Sequence, residues 1–117
     1  NWFQQDYAAA WAGIVTSAIF AVLHLVWDGK DARPQLPGLW LMGMVLVVAR
    51  WANGGSLAIA CGLHAGWILG MTLLDTAAAL RYTDRAPVWL VGIDGKPLAG
   101  GMGLLLLLGT AAVLQVI

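Results

Sequence analysis

The sequence contains no glutamate. All six acidic residues are aspartates, and six lysines and arginines balance them to a formal net charge of zero. Charged residues make up 10% of the 117-residue chain, against 61% apolar. Soluble domains run near 45–50% apolar and about 25% charged, so the polar side chains needed to cover a globular surface are missing. That shortage excludes a soluble enzyme, a nucleic-acid binder and a disordered segment. One cysteine, Cys61, leaves no internal disulfide to form. The chain opens with Asn1 rather than methionine, and is expected to begin inside a longer protein or after processing. What fills the sequence is long apolar runs.

A helix needs roughly 20 predominantly apolar residues to cross a hydrocarbon core about 30 Å thick. Four runs qualify as spans: 8–27, 38–52, 56–74 and 98–117. The first ends in the stretch from Asp28 to Pro37, with its four charges and two prolines. The second is short, and needs Trp51 and Ala52 to approach full length, with Arg50 snorkelling to the interface or the bilayer thinned locally. Asn53-Gly54-Gly55 reads as the turn that closes it, and Asp84-Arg85-Ala86-Pro87 and Asp94-Gly95-Lys96-Pro97 read as turns between the third and fourth spans. The fold class expected is an all-α polytopic membrane helix bundle, a single membrane-embedded domain within a larger multi-span protein.

Four crossings put the loops 28–37 and 75–97 on one side. That side carries Lys30, Arg33, Arg81, Arg85 and Lys96, whereas the other carries Arg50 alone. The excess of cations makes the first side cytoplasmic, or stromal in a plastid-type membrane. Aromatic residues agree with this layout: Trp27, Trp40, Tyr82 and Trp89 fall near one boundary, and Trp2, Tyr7 and Trp51 near the other, as interfacial belts require.

Small residues recur every fourth position in two spans, which lets a neighbouring helix approach closely. In the first span they are Ala9, Gly13, Ser17 and Ala21. Gly13, Ser17, Phe20 and His24 lie within an arc of about 60°, so His24 belongs to the packed face. In the third span the ladder is Ala58, Gly62, Gly66 and Gly70, with His64 roughly opposite it beside Leu57, Ile68, Met71 and Asp75. A glycine seam on one side and an ionisable residue on the other place the third span centrally.

Ionisable groups within a membrane are costly and tend to mark function, which singles out His24 and His64. Counted from their span ends, the two differ in depth by roughly 10 Å, a gap that tilt or a shifted boundary must absorb if they share a site. By ligand type Cys61, His64 and His24 suit a metal, but no metal-binding spacing is present and none is assigned. Asp28, one helical turn beyond His24, orients the imidazole, caps the helix end or sits solvated in the loop. No cofactor is required; lipid surrounds the spans, and pigment contacts are compatible with them.

Phe20-Ala21-Val22-Leu23-His24, followed about 40 residues later by Gly62-Leu63-His64-Ala65-Gly66-Trp67, resembles the CPBP family of CAAX prenyl proteases and bacteriocin-processing or immunity proteins. The family's motifs run E-E-x-x-x-R, F-x-x-x-H, then H-x-x-x-N or a variant. The tail from Trp89 to Gly100 is similar to the cyanobacterial and plastid branch. This resemblance implies an intramembrane endopeptidase acting on a prenylated or other peptide substrate. His24 would help the motif glutamate activate water, His64 would support the oxyanion, and Phe20 belongs to the motif. Two departures stand out: Ile68 occupies the asparagine position and cannot donate a hydrogen bond, and the glutamate motif is absent. As given, the chain resembles the C-terminal half of such a protein. The other function class is a non-catalytic subunit or assembly factor of a larger, photosynthetic-type membrane complex in a thylakoid or bacterial plasma membrane, where an imidazole is also a ligand for a pigment metal.

Overall fold

A computed structural model describes residues 2–79, 81, 83, 85–93 and 96–116, with side chains from Asp6 onward. Its elements are helical: α1 (Trp2–Asp28), a 3-10 segment (Gly29–Gln35), α2 (Leu36–Ala52), α3 (Ala58–Thr76), the short α4 (Val88–Val91), a 3-10 turn (Pro97–Ala99) and α5 (Gly101–Leu114). The chain is an all-α membrane helix bundle. By length and composition the helical run Asp6–Ala52 and α3 can each cross a membrane, while Gly101–Leu114 is apolar but shorter. The expected aromatic Tyr82, the turn residues Asp84, Asp94 and Gly95, and the terminal Ile117 lie outside the described residues, as does the side chain of Trp2.

Two turns fold the first three helices back on one another. Gly29 takes a φ of +66° directly after α1, a conformation that glycine enters without steric cost. Gly54 and Gly55 do the same after α2, with φ of +61° and +88°. There Arg50 bends over the turn and donates from Nε to the Gly55 carbonyl at 3.0 Å. Its charge therefore sits at the C-terminal end of α2, where the helix dipole favours a cation.

The α1–α2 pair is antiparallel and close. A Cβ on Gly13 would lie 3.1 Å from Val47 Cγ1, and one on Gly43 would lie 2.9 Å from Ser17 Cβ and 3.0 Å from its Oγ. Ser17 is 1% exposed, and its hydroxyl has no hydrogen-bond partner among the described residues. It faces the Gly43 backbone, an arrangement suited to a weak Cα–H···O contact at a helix crossing. Across the same seam Trp40 Nε1 donates to the Ile14 carbonyl at 3.2 Å. Trp40 thus departs from the expected interfacial belt: the indole N–H that would face headgroups is used between helices. Tyr7, Trp27, Trp51 and Trp89 are exposed near helix ends.

α2, not α3, is the central helix, which corrects the sequence expectation. Its Gly38, Leu39, Gly43, Val45 and Ala49 are buried, on faces that meet α5, α3 and α1. Val45 and Ala49 join Ala60 of α3 with Leu107 and Leu114 of α5 in the core. α3 contributes one buried residue, Ala60. Its glycine ladder points away, since a Cβ on Gly62, Gly66 or Gly70 would meet nothing within 4 Å. The physical reason is rotation about the helix axis: α3 leans on α2 through Ala60 and Trp67, about opposite the ladder. Leu98, expected to start the fourth span, lies instead in the 3-10 turn, and α5 begins at Gly101 after an extended Gly100.

Gly43→Ala is expected to overpack the α1–α2 seam and cost about 1–3 kcal/mol, read as a lower unfolding midpoint in detergent. Gly66→Ala has open space and should be neutral or stabilising by about 0.5–1 kcal/mol. Equal loss at both positions would contradict this packing.

Candidate active site

Four residues apart on α1, Phe20 and His24 share one helix face. His24 Nδ1 lies 2.8 Å from the Phe20 carbonyl oxygen. A carbonyl only accepts, so Nδ1 carries the proton and donates it there. In the neutral ring the lone pair then belongs to Nε2. Nε2 makes no hydrogen bond and is not enclosed among the described residues, which leaves His24 with a free proton acceptor.

Phe20 also joins His24 to α3. Its ring centroid lies 4.7 Å from that of His24 at 61°, and 5.5 Å from that of His64 at 72°. Both are edge-type contacts within the range that aromatic quadrupoles favour. The phenyl ring, one turn back along α1 from His24, bridges the depth offset the sequence implied. His64 is the converse of His24. Its Nδ1 is enclosed and has no partner among the described residues. A buried N–H without an acceptor is rarer and costlier than an unfilled lone pair, so the favoured neutral form carries its proton on Nε2. That nitrogen is not enclosed. One histidine offers an acceptor and the other a donor.

Both rings line one cavity of about 340 Å³. Leu39 and Met42 of α2 form its back wall, Trp67, Ile68 and Met71 of α3 one side, and Leu106 and Leu107 of α5 the other. Asp28 and Gln35 lie at the end of the cavity beside the Gly29–Gln35 turn. Asp28 makes no side-chain cap bond to that turn and is exposed, in line with the solvated alternative rather than the cap. Ile68, 56% exposed, brings only hydrocarbon to the asparagine position of the resemblance. Of the residues given to helix packing, Gly13 and Ser17 meet α2 as described, and Gly62, Gly66 and Gly70 meet no neighbour.

Cys61 is exposed and lines no part of this cavity. Among the described residues no three His, Cys, Asp or Glu side chains gather as a metal site. Among the described residues no serine, threonine or cysteine lines the cavity. The arrangement suits proton transfer and oxyanion support. Helical spacing puts Ile68 and Met71 on the His64 face; the structure adds Trp67, Gln35 and the walls from α2 and α5. Trp67, three residues from His64, was within reach of helical spacing; the distant walls carried no local signal.

Known proteins similar to this chain include rhomboid proteases. Rhomboid protease GlpG of Salmonella paratyphi A (strain ATCC 9150 / SARB42) and that of Salmonella newport (strain SL254) are each 29% identical to it over 91 residues, covering 71% of this chain and 33% of theirs. The chain therefore spans about a third of the length of these relatives. No solved structure matches. A profile described as type II CAAX prenyl endopeptidase Rce1-like matches residues 1–70, a stretch holding Phe20, His24 and His64. That match spans more than half of the sequence, and with it the chain belongs to the Rce1-like family of type II CAAX prenyl endopeptidases.

Proposed function

We propose that this chain supplies the histidine half of a centre that hydrolyses peptide bonds within a membrane. His24 Nε2 takes a proton from water as the water oxygen bonds to the scissile carbonyl carbon. The carbonyl electrons move onto oxygen, where His64 Nε2–H donates to the oxyanion. The carbonyl then re-forms, the carbon–nitrogen bond breaks, and the proton on His24 passes to the leaving amine. One observation carries this reading: a single phenyl ring holds two imidazoles whose surroundings favour opposite neutral forms. The carboxylate that assists water activation in the family is not provided by a glutamate of this sequence. Ile68 leaves oxyanion support to His64, and removing one such donor typically costs about 2.7–4 kcal/mol.

The substrate class that family membership supports is a CAAX-type peptide, prenylated near its cleavage site. The excess of cations in loops 28–37 and 75–97 supports a cytoplasmic or stromal placement for them, in a bacterial plasma membrane or a thylakoid-type membrane. A second reading, the non-catalytic subunit of a larger and photosynthetic-type complex, is favoured by Ile68 and by the uncovered ladder Gly62, Gly66 and Gly70.

In the protein as the cell makes it, His24→Ala is expected to lower kcat by about 10²–10⁴-fold. His64→Ala should lower it by about 10²–10³-fold, with unfolding midpoints near wild type in both. Unchanged cleavage of a membrane-reconstituted peptide would reject the hydrolytic reading and leave the subunit reading. For sidedness, cysteines placed at Lys30 and Arg85 should react with an impermeant thiol reagent from the cytoplasmic face, and one at Gly54 from the other. Labelling of 30 and 85 from opposite faces would refute the crossing pattern.

A further inference from the structure

The backbone at Lys96–Leu98 is met by three residues that have no Cβ, and a fourth glycine packs against one of these. On α2, a Cβ on Gly38 would run into the Leu98 carbonyl and lie 2.9 Å from Leu98 Cβ. On α5, a Cβ on Gly103 would run into the Pro97 carbonyl, with its carbon at 2.8 Å. Gly92 has a φ of +117°, and its Cβ would collide with the Lys96 carbonyl. Gly100 in turn has Gly92 N at 2.5 Å and the Leu90 carbonyl oxygen at 2.8 Å from its Cβ position. Backbone-to-backbone approach of this kind leaves a turn little freedom to shift. Leu98 projects from it to line the histidine cavity and also packs against the core. The opposite wall is different: α3 is exposed from Met71 onward, and a Cβ on its Gly66 or Gly70 would meet nothing within 4 Å among the described residues.

We propose that Leu98 is a specificity-determining residue of the site: carried on this glycine-clamped turn, it sets how bulky an apolar group can lie beside His24 and His64. The proposal rests on the hydrolytic reading for its substrate, but not for its geometry. Apart from the two histidines, Asp28 and Gln35, the cavity is lined by apolar side chains such as Leu39, Met42, Trp67 and Leu107, so the group selected is apolar. Because the turn cannot relax toward the cavity, a change of volume at position 98 becomes a change of cavity volume. The α3 wall adapts, and the Leu98 wall discriminates.

The test uses two peptides identical except for the side chain beside the scissile bond, isobutyl in one and naphthyl in the other. Cleavage by the complete protein in liposomes is compared with equilibrium binding by calorimetry in nanodiscs. Leu98→Ala is expected to raise the naphthyl-to-isobutyl preference by about tenfold or more, and Leu98→Phe to lower it, as a few methylenes do in apolar sites. Gly38→Ala, which dislodges the turn without altering Leu98, should blunt the preference. A preference unmoved in cleavage and binding by both Leu98 variants, with normal unfolding midpoints, overturns the proposal. Absent cleavage with a binding preference that shifts as stated defeats the hydrolytic reading alone and supports the assignment to Leu98.

Discussion

The contact between Ser17 and Gly43 sets the height of everything above it. Two helices can approach this closely only where one of them lacks a side chain, and at Gly43 a single added carbon would lie within 3.0 Å of three Ser17 atoms. Three residues after Ser17 comes Phe20, and one turn later His24, so the crossing point fixes how deep the phenyl and imidazole rings sit against α2. The Trp40 N–H bond to the Ile14 carbonyl opposes sliding along the same seam. In an apolar surrounding that bond is costly to break, because the indole has no water to turn to.

From that seam the site follows by short steps. Phe20 fills the gap between α1 and α3 and touches both imidazoles edge-on. Where water is scarce, a ring nitrogen either finds a partner or gives up its proton to the other nitrogen. His24 finds the Phe20 carbonyl; His64 Nδ1 finds no partner among the described residues. The same pressure therefore pushes the two rings to opposite neutral forms, and division of labour comes from burial rather than from residue type. The turn at Leu98 adds a firm wall to this pair, while α3, which leans on the core through Ala60 and Trp67 and is exposed beyond Met71, is the softer one.

Much of this was legible in the amino-acid order, for identifiable reasons. Helical spacing put Gly13, Ser17, Phe20 and His24 on one face, because a 3.6-residue period makes neighbours of positions three and four apart. Hydropathy located the helices, since the apolar runs have few competing interpretations. The identity of the central helix was not legible. A glycine ladder says that a close approach is sterically possible, not that a partner is present. Gly62, Gly66 and Gly70 form the more regular pattern, yet the isolated Gly38 and Gly43 make the contacts. Trp40 was misplaced because a tryptophan near a span end reads as interfacial until its N–H is seen to have a carbonyl partner across the seam. The cavity walls from α2 and α5 depend on residues distant in sequence, and no local period announces them.

His24 and His64 are held in unlike forms, one a proton acceptor toward the cavity and the other a donor. Solid-state ¹⁵N spectra of ring-labelled protein in lipid, assigned with single His→Gln variants, read the protonated nitrogen of each ring directly. A proton on Nδ1 of His24 and on Nε2 of His64 is the expected result. Finding both rings protonated at the same nitrogen would contradict it.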